Sequence, residues 1–127
     1  MEIAPPTPAP DIDSACTRFT AALPEEISTA GDRRDTTPES ALTAAYGDPP
    51  VGIRCGVPTP DSLVPTATLV TIDGIDWYPE ELTAGWRLTS IGREANVEIT
   101  VPAELGPAPS VAADLGPTIE ATLPATG

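Results

Sequence analysis

Residues 51–58 decide the fold, and they read Val51-Gly52-Ile53-Arg54-Cys55-Gly56-Val57-Pro58. The pattern predicts a β-strand that leads into a proline-bounded turn. Because side chains alternate across a strand, the apolar set Val51, Ile53, Cys55 and Val57 falls on one face, and Gly52, Arg54 and Gly56 fall on the other. We therefore expect Cys55 to point toward the core of the protein and Arg54 to point away from it.

The second cysteine lies in a segment with helical periodicity, residues 11–23. Its apolar stripe consists of Ile12, Cys16, Phe19 and Leu23, and Asp11 or Asp13 is positioned to cap its first turn. In an α+β arrangement this stripe packs on the apolar face of the strand, so that Cys16 and Cys55 enter the same interlayer space. The geometry favours a Cys16–Cys55 disulfide, formed in an oxidising compartment, over two reduced cysteines buried in a cytosolic protein.

The whole chain predicts an α+β fold: a small antiparallel sheet of about five strands with helices packed on one face, and one disulfide. Further strands are predicted at residues 66–72, 75–78, 86–91 and 96–101, and residues 25–38 and 79–85 are interpreted as loops. The Asp73-Gly74 turn predicts a hairpin in which Ile72 opposes Ile75, and the turn at residues 92–95 predicts one in which Leu88 opposes Ile99. Helices are predicted at residues 39–46 and, from the four-residue spacing of Val111, Leu115, Ile119 and Leu123, near the C-terminus, with a kink or split at Gly116-Pro117.

The first ten residues, MEIAPPTPAP, are too rich in proline for a helix or a sheet. We interpret residues 1–10 as a disordered, Pro-rich tether and residues 11–127 as a single α+β domain. The sequence contains no transmembrane run and no signal peptide. If the protein is exported, we expect that a signal or anchor ahead of the tether has been removed.

The composition excludes several functions. The chain of 127 residues has a net charge of -13, with six arginines, no lysine and no histidine. Such an acidic surface repels phosphate and anionic lipid, so we expect no nucleic-acid partner, and contact with a membrane only through an N-terminal anchor absent from this chain. Without histidine there is no Ser-His-Asp triad and no imidazole metal site, and we expect no cofactor and no metal. A hydrolase built on paired carboxylates stays open because acids are plentiful.

Six polar residues form the candidate binding face: Arg54, Asp76, Tyr78, Arg87, Arg93 and Glu98. Arginines on the face opposite the core would bind a carboxylate or a sugar. The alternative, which we favour, is that they pair across the sheet with acids such as Glu98 and Asp76. Trp77 and Trp86 would suit a carbohydrate platform, but the predicted register puts both on the apolar face and favours core packing.

Four segments are specific in combination: Tyr46-Gly47-Asp48-Pro49-Pro50, Arg54-Cys55-Gly56-Val57-Pro58, Gly74-Ile75-Asp76-Trp77 and Gly85-Trp86-Arg87-Leu88-Thr89. Together they resemble an actinobacterial family of exported or membrane-anchored proteins, the domain of unknown function numbered 3515. The resemblance covers nearly the whole chain beyond the tether. In that family a tryptophan usually precedes the Gly47 motif, and Tyr46 keeps an aromatic side chain there. The resemblance implies an extracytoplasmic location and no known activity.

The last five residues, Leu123-Pro124-Ala125-Thr126-Gly127, match the LPxTG sorting signal that transpeptidases cut between Thr and Gly. A wall-anchoring signal continues into an apolar stretch and a basic tail. Either that tail has been removed, or the match is an engineered tag, or it is chance in a terminus rich in Pro, Ala and Thr. The resembled family commonly ends near Leu123-Pro124, which favours a natural end.

From these patterns we expect a non-enzymatic domain of the cell envelope, secreted or anchored to the outer face of the cytoplasmic membrane. It would bind an envelope protein or a cell-wall component through its polar sheet face. One alternative is a carbohydrate- or peptidoglycan-acting enzyme that uses acidic residues, which a pocket holding two carboxylates would indicate. Another is an accessory subunit of a membrane protein complex, which an exposed apolar patch would indicate.

Overall fold

An antiparallel sheet forms the centre of the molecule, and both α-helices pack on one of its faces. The computed structural model describes residues 2–105 and 108–126. Within those ranges the strands are β1 (Glu26–Ile27), β2 (Gly31–Arg34), β3 (Thr43–Tyr46), β4 (Val51–Cys55), β5 (Val70–Ile72), β6 (Ile75–Leu82), β7 (Gly85–Ile91) and β8 (Val97–Pro102). The helices are α1 (Pro10–Ala22) and α2 (Ala108–Thr122), with a short 3₁₀ helix at Ala103–Leu105. The order across the sheet is β1-β2-β3-β4-β8-β7-β6-β5, and every neighbouring pair is antiparallel.

The α+β class is confirmed, but the prediction of about five strands is too low, since the described residues form eight. The added strands are β1 and β2, in a segment predicted as a loop, and β3, in a segment predicted as a helix. The β3 sequence Thr-Ala-Ala-Tyr has no strand alternation, because all four residues are buried between β2 and β4. Helix propensities differ by less than about 1 kcal/mol per residue, so burial and pairing outweigh them here.

The two predicted hairpins have the predicted register. Ile72 pairs with Ile75 across Asp73-Gly74, and Leu88 pairs with Ile99. Asp73 has a φ of 52° and Gly74 a φ of 83°. Both values lie in the left-handed region that a two-residue turn of type I′ requires, which explains why this dipeptide predicts the hairpin well.

Strand β5 is shorter than the predicted strand at residues 66–72, and Pro79 supplies the reason. In a two-residue hairpin the pair next to the turn is hydrogen-bonded and the bonded pairs then recur at every second residue. With Ile72–Ile75 and Val70–Trp77 as bonded pairs, the next would be Thr68 with Pro79. Proline has no N–H to donate, so the ladder stops at Val70. Strand β6 itself continues to Leu82, because it stays paired with β7 on its other side.

The core lies between the sheet and the helices. The C-terminal stripe is fully buried, as its spacing predicts, at Val111, Leu115, Ile119 and Leu123. Helix α2 is continuous through Gly116-Pro117, so the predicted split does not occur. Helix α1 begins at Pro10 with Ala9 as its N-cap residue and no side-chain cap, so the predicted capping by Asp11 or Asp13 is wrong. Proline at the first helical position needs no partner for a backbone N–H, which explains how the helix starts without one.

The predicted disulfide between Cys16 and Cys55 is confirmed. The two Cα atoms lie 5.5 Å apart, and both residues are fully buried in the core cluster. The bond joins α1 to β4, a strand with sheet neighbours on both sides. The helix layer is therefore covalently attached to the interior of the sheet.

Replacing Cys16 or Cys55 by serine opens a covalent loop whose ends are 39 residues apart. From loop-closure entropy we expect the free energy of unfolding to fall by about 4 kcal/mol, which denaturant titration with and without reductant would measure. The control is the Cys16→Ser/Cys55→Ser double variant, whose stability should not respond to reductant. Equal stability of the wild-type protein in both conditions would contradict a stabilising bond.

Tyr46 gives the fold a second test, because its buried hydroxyl donates to the Pro24 carbonyl at 2.6 Å. Burial raises the pKa of Tyr46 above its ordinary value of 10.0, with Arg33 lowering it and Glu25 raising it by smaller amounts. A pKa raised by folding means that the contribution to stability is complete below about pH 10 and is lost as the pH rises through the folded-state pKa.

We therefore expect the wild-type protein to lose stability above about pH 10, and Tyr46→Phe to remove most of that loss. At neutral pH the same variant should cost about 1–3 kcal/mol, because it leaves the Pro24 carbonyl without its donor. The chain contains no lysine, so no lysine titrates in the same range. Denaturation across alkaline pH measures the effect, and Tyr78→Phe is the matched control. An unchanged pH profile in Tyr46→Phe would refute this assignment.

Candidate functional site

The sheet face opposite the helices carries five of the six predicted binding residues. Arg54, Glu98, Thr89 and Tyr78 lie side by side on β4, β8, β7 and β6, in that order. Arg87 precedes Thr89 by two residues on β7, and Asp76 precedes Tyr78 by two residues on β6, so both lie on the same face. Because β6 and β7 are antiparallel, the two residues lie on opposite sides of this row. Arg93 does not join them, because it follows β7 in the turn before β8. The alternation pattern therefore identified this face correctly, apart from its one turn residue.

The arginines of this face are paired with acids. Arg54 Nη1 lies 3.2 Å from Glu98 Oε1. Arg87 donates from Nε and Nη2 to the two carboxylate oxygens of Glu80, at 3.1 and 3.2 Å. The hydrogen bond with Glu80 is the main cause that raises the pKa of Arg87. These pairs confirm the favoured alternative of pairing with acids across the sheet. Glu98 is one of the two acids named as examples, and the second acid in the structure is Glu80 and not Asp76.

The loop between β4 and β5, residues 56–69, covers part of the same face. The Tyr78 hydroxyl donates to Ser62 Oγ at 2.9 Å, and Ser62 Oγ donates to Glu80 at 3.3 Å. Nearer the start of the loop, Asn96 Nδ2 donates to the Val57 carbonyl and to Thr59 Oγ1, both at 3.2 Å. A cleft of about 320 Å³ remains between this loop and the two arginine–glutamate pairs. The face is therefore a partly filled cleft and not a flat platform.

The N-terminal segment, residues 2–9, covers another part of the face. The Ile3 amide donates to the Thr37 carbonyl at 3.0 Å, and Arg54 Nε donates to the Ala4 carbonyl at 2.9 Å. Ile3 is only 6% exposed. Ala45 and Gly52 point away from the helices and yet are buried, which is consistent with this cover. The structure thus places the predicted tether against the domain, and its mobility stays a prediction.

Among the described residues, Asp61, Glu80 and Glu98 are the acids that line the cleft, and both glutamates are paired with arginines. Glycoside hydrolysis by two carboxyl groups needs one of them as a proton donor and the other as a base or nucleophile. Glu80 and Glu98 each accept from an arginine, so both carboxylates lie beside a positive charge. The two ion pairs therefore satisfy both glutamates within the fold.

Arg93 and the terminal LPATG motif meet on the turn between β7 and β8. Arg93 Nη1 donates to the Leu123 carbonyl at 3.2 Å, and Arg93 forms a β-bridge with Ala125. The Glu94 amide donates to the Pro124 carbonyl, and the Thr126 amide to the Gly92 carbonyl, both at 2.9 Å. Leu123 is fully buried. In this conformation residues 123–126 are part of the fold, and an enzyme that binds LPxTG in extended form would first have to detach them.

An apolar groove at the corner of the sheet is the feature that we did not predict. Trp77 is fully buried, as expected, but the prediction of core packing for Trp86 is wrong, because Trp86 is 39% exposed. The groove has a volume of about 360 Å³, and we call it the Trp86 groove; its lining consists of Val70, Ile72, Pro79, Trp86, Leu88, Ala108 and Pro109. The register assigned Trp86 to the correct face, but it carries no information on where α2 covers that face. Here α2 contributes only its first two residues.

Comparison with known proteins identifies one family. The family model described as "Protein of unknown function (DUF3515)" matches residues 2–127. No curated protein and no solved structure matches the chain significantly. Neither of the described α-helices is long and apolar enough to cross a membrane.

Arg54→Met tests whether Arg54 holds the N-terminal segment on the sheet. The change removes the donor to the Ala4 carbonyl and the partner of Glu98, and we expect stability to fall by about 1–2 kcal/mol. Hydrogen exchange of the Ile3 amide should accelerate, because the segment loses one of its two anchors. Arg87→Met is the matched control, since it breaks an ion pair on the same face without touching the segment. Unchanged exchange at Ile3 would show that Arg54 is not an anchor.

Proposed function

This chain belongs to the DUF3515 family, and from that premise we propose that it is a non-enzymatic protein-binding domain that works outside the cytoplasm and holds its partner in the Trp86 groove. The single observation that carries the proposal is the groove itself. It combines a half-exposed tryptophan with a lining in which the described residues include no charged side chain.

The exposed apolar area supports a binding role. Trp86 and Val70 are 39% and 38% exposed, and both line the same groove. Small proteins seldom leave large apolar side chains exposed together unless the surface binds something. Tryptophan in a pocket is also the residue type that most often dominates a protein interface. The groove therefore has the composition of an interface centre.

The contacts of the polar face favour a structural role for it over a binding role. Its arginines are paired with Glu98 and Glu80, and a loop and the N-terminal segment cover much of it. A ligand would have to replace contacts that already satisfy these charges. We therefore move the proposed binding surface from the polar face to the opposite, helix-bearing face at its open corner. An apolar patch at a sheet edge is also what we expected of an accessory subunit in a membrane complex.

The disulfide supports a location outside the cytoplasm. Cys16 and Cys55 are bonded in the core, and such bonds persist in oxidising compartments. The proposed partner is accordingly a protein of the cell envelope. The enzyme alternative receives no support from the cleft, because both of its central glutamates are paired with arginine.

A photo-crosslinking amino acid at Val70 tests the proposal in cells that produce the protein. We expect a crosslink to one defined protein, and we expect Trp86→Ala to reduce it at least about tenfold, as for a central interface residue. The matched control is the same crosslinker at Val64, which is 51% exposed but lies outside the groove. Equal crosslinking from both positions, or no response to Trp86→Ala, would remove the groove as the binding site.

A further inference from the structure

The edge of the sheet beside the Trp86 groove is open. Strand β5 is the last strand in the sheet order and pairs only with β6 among the described residues. Because Ile72 and Ile75 are the bonded pair next to the turn, Thr71 and Asp76 form a non-bonded pair. The Thr71 N–H and C=O therefore point outward from the edge, toward solvent.

Residues just before β5 extend this edge. Thr68 and Leu69 are exposed and belong to the run that predicts a strand, but Pro79 cannot continue the ladder with them. By the same alternation the backbone groups of Leu69 point outward with those of Thr71. Exposed strand-forming residues with unpaired backbone groups are what an added strand from another chain requires.

The groove is positioned to bind the side chains of such an added strand. In a sheet, alternate residues of neighbouring strands lie side by side on the same face. Val70 and Ile72 of β5 line the groove, so alternate residues of an added strand would fall beside them and face Trp86. Backbone pairing and apolar contacts would then come from one extended segment.

The charge around the groove indicates the charge of the segment that would bind there. Two exposed acids adjoin residues of the groove: Asp73 directly follows Ile72, and Glu81 pairs with Trp86 across β6 and β7. A third exposed acid, Glu120, lies beside Gly74 in the turn after β5. Within residues 2–105 and 108–126 no arginine lines the groove, and the chain has a net charge of -13. A second copy of this chain would bring the same acids against them, whereas flanking cations would be attracted.

We infer that the partner occupies the Trp86 groove as an extended, cationic segment that adds a strand to the edge of β5. This inference rests on the proposed function and specifies the partner's conformation and charge. The recognised chemistry is a strand with apolar residues at alternate positions and arginine or lysine at its ends.

The test uses the full chain and a synthetic peptide of alternating valine and threonine with two arginines at each end. Nuclear magnetic resonance should show slower exchange of the Thr71 amide, by at least about tenfold, and shifts at the Trp86 indole. Thr71→Pro removes the outward N–H without breaking the bonds between β5 and β6, and should weaken peptide binding at least about tenfold. Thr71→Val is its matched control, since it loses the same hydroxyl but keeps the N–H and should bind normally.

Three peptide controls sharpen the outcome. Peptides with glutamates in place of the arginines, or with N-methyl groups at alternate backbone positions, should bind at least about tenfold more weakly. A helix-forming peptide of matched charge should also bind more weakly. Equal binding of the acidic peptide would overturn the cationic requirement, and equal binding of the N-methylated or the helical peptide would overturn strand addition.

The result separates this inference from the proposed function. If Trp86→Ala abolishes crosslinking to the cellular partner while Thr71→Pro leaves it unchanged, the groove stands and strand addition is overturned. If neither variant affects crosslinking, both are overturned. A dimer in sedimentation analysis that Thr71→Pro dissociates would overturn the inference in favour of pairing between two copies. Loss of crosslinking in both variants, with normal crosslinking in Thr71→Val, would support both.

Discussion

Two consecutive residues of β4, Arg54 and Cys55, make the contacts on which the arrangement of the whole chain depends. On its core face Cys55 is bonded to Cys16, which attaches α1 to the interior of the sheet. On its other face Arg54 donates both to Glu98 of β8 and to the carbonyl of Ala4. Since the two side chains belong to consecutive residues of one strand, β4 connects the helix layer, the rest of the sheet and the N-terminal segment at one place. For a chain of this size, a bond worth about 4 kcal/mol is a large part of the usual net stability.

Most arginines of the protein form intramolecular hydrogen bonds. Five arginines donate to oxygens of the chain itself, within the described residues: Arg33, Arg34, Arg54, Arg87 and Arg93. Their acceptors are backbone carbonyls and two glutamates, at sequence separations from 7 residues for Arg87 with Glu80 to 50 residues for Arg54 with Ala4. The remaining surface is dominated by acids, which is the physical origin of its preference for a cationic partner.

The open corner of the sheet results from the position of β5 at the end of the strand order and from the place where α2 begins. Pro79 has no N–H for the residue that would extend β5, and the edge is left without its last bonded pair. Helix α2 reaches this corner only with its first residues, Ala108 and Pro109. Trp86 is exposed because α2 begins here, and the outer edge is open because β5 is the last strand in the sheet order. Both features meet in one surface, although they arise from unrelated parts of the chain.

Local patterns were sufficient to predict the hairpin at Asp73-Gly74, the alternation of β4, the buried stripe of α2 and the Cys16–Cys55 bond. Each depends on a short-range rule: turn geometry, a period of two, or a helical period. The same rules failed for β3, whose residues are buried on both faces and so show no alternation, and for Trp86, whose face was predicted correctly but whose exposure was not. The sequence by itself therefore determined which side chains share a face, because that follows from backbone periodicity. Only the tertiary structure decided which parts of each face are covered, because coverage depends on where α2, the N-terminal segment and the loop after β4 come to rest.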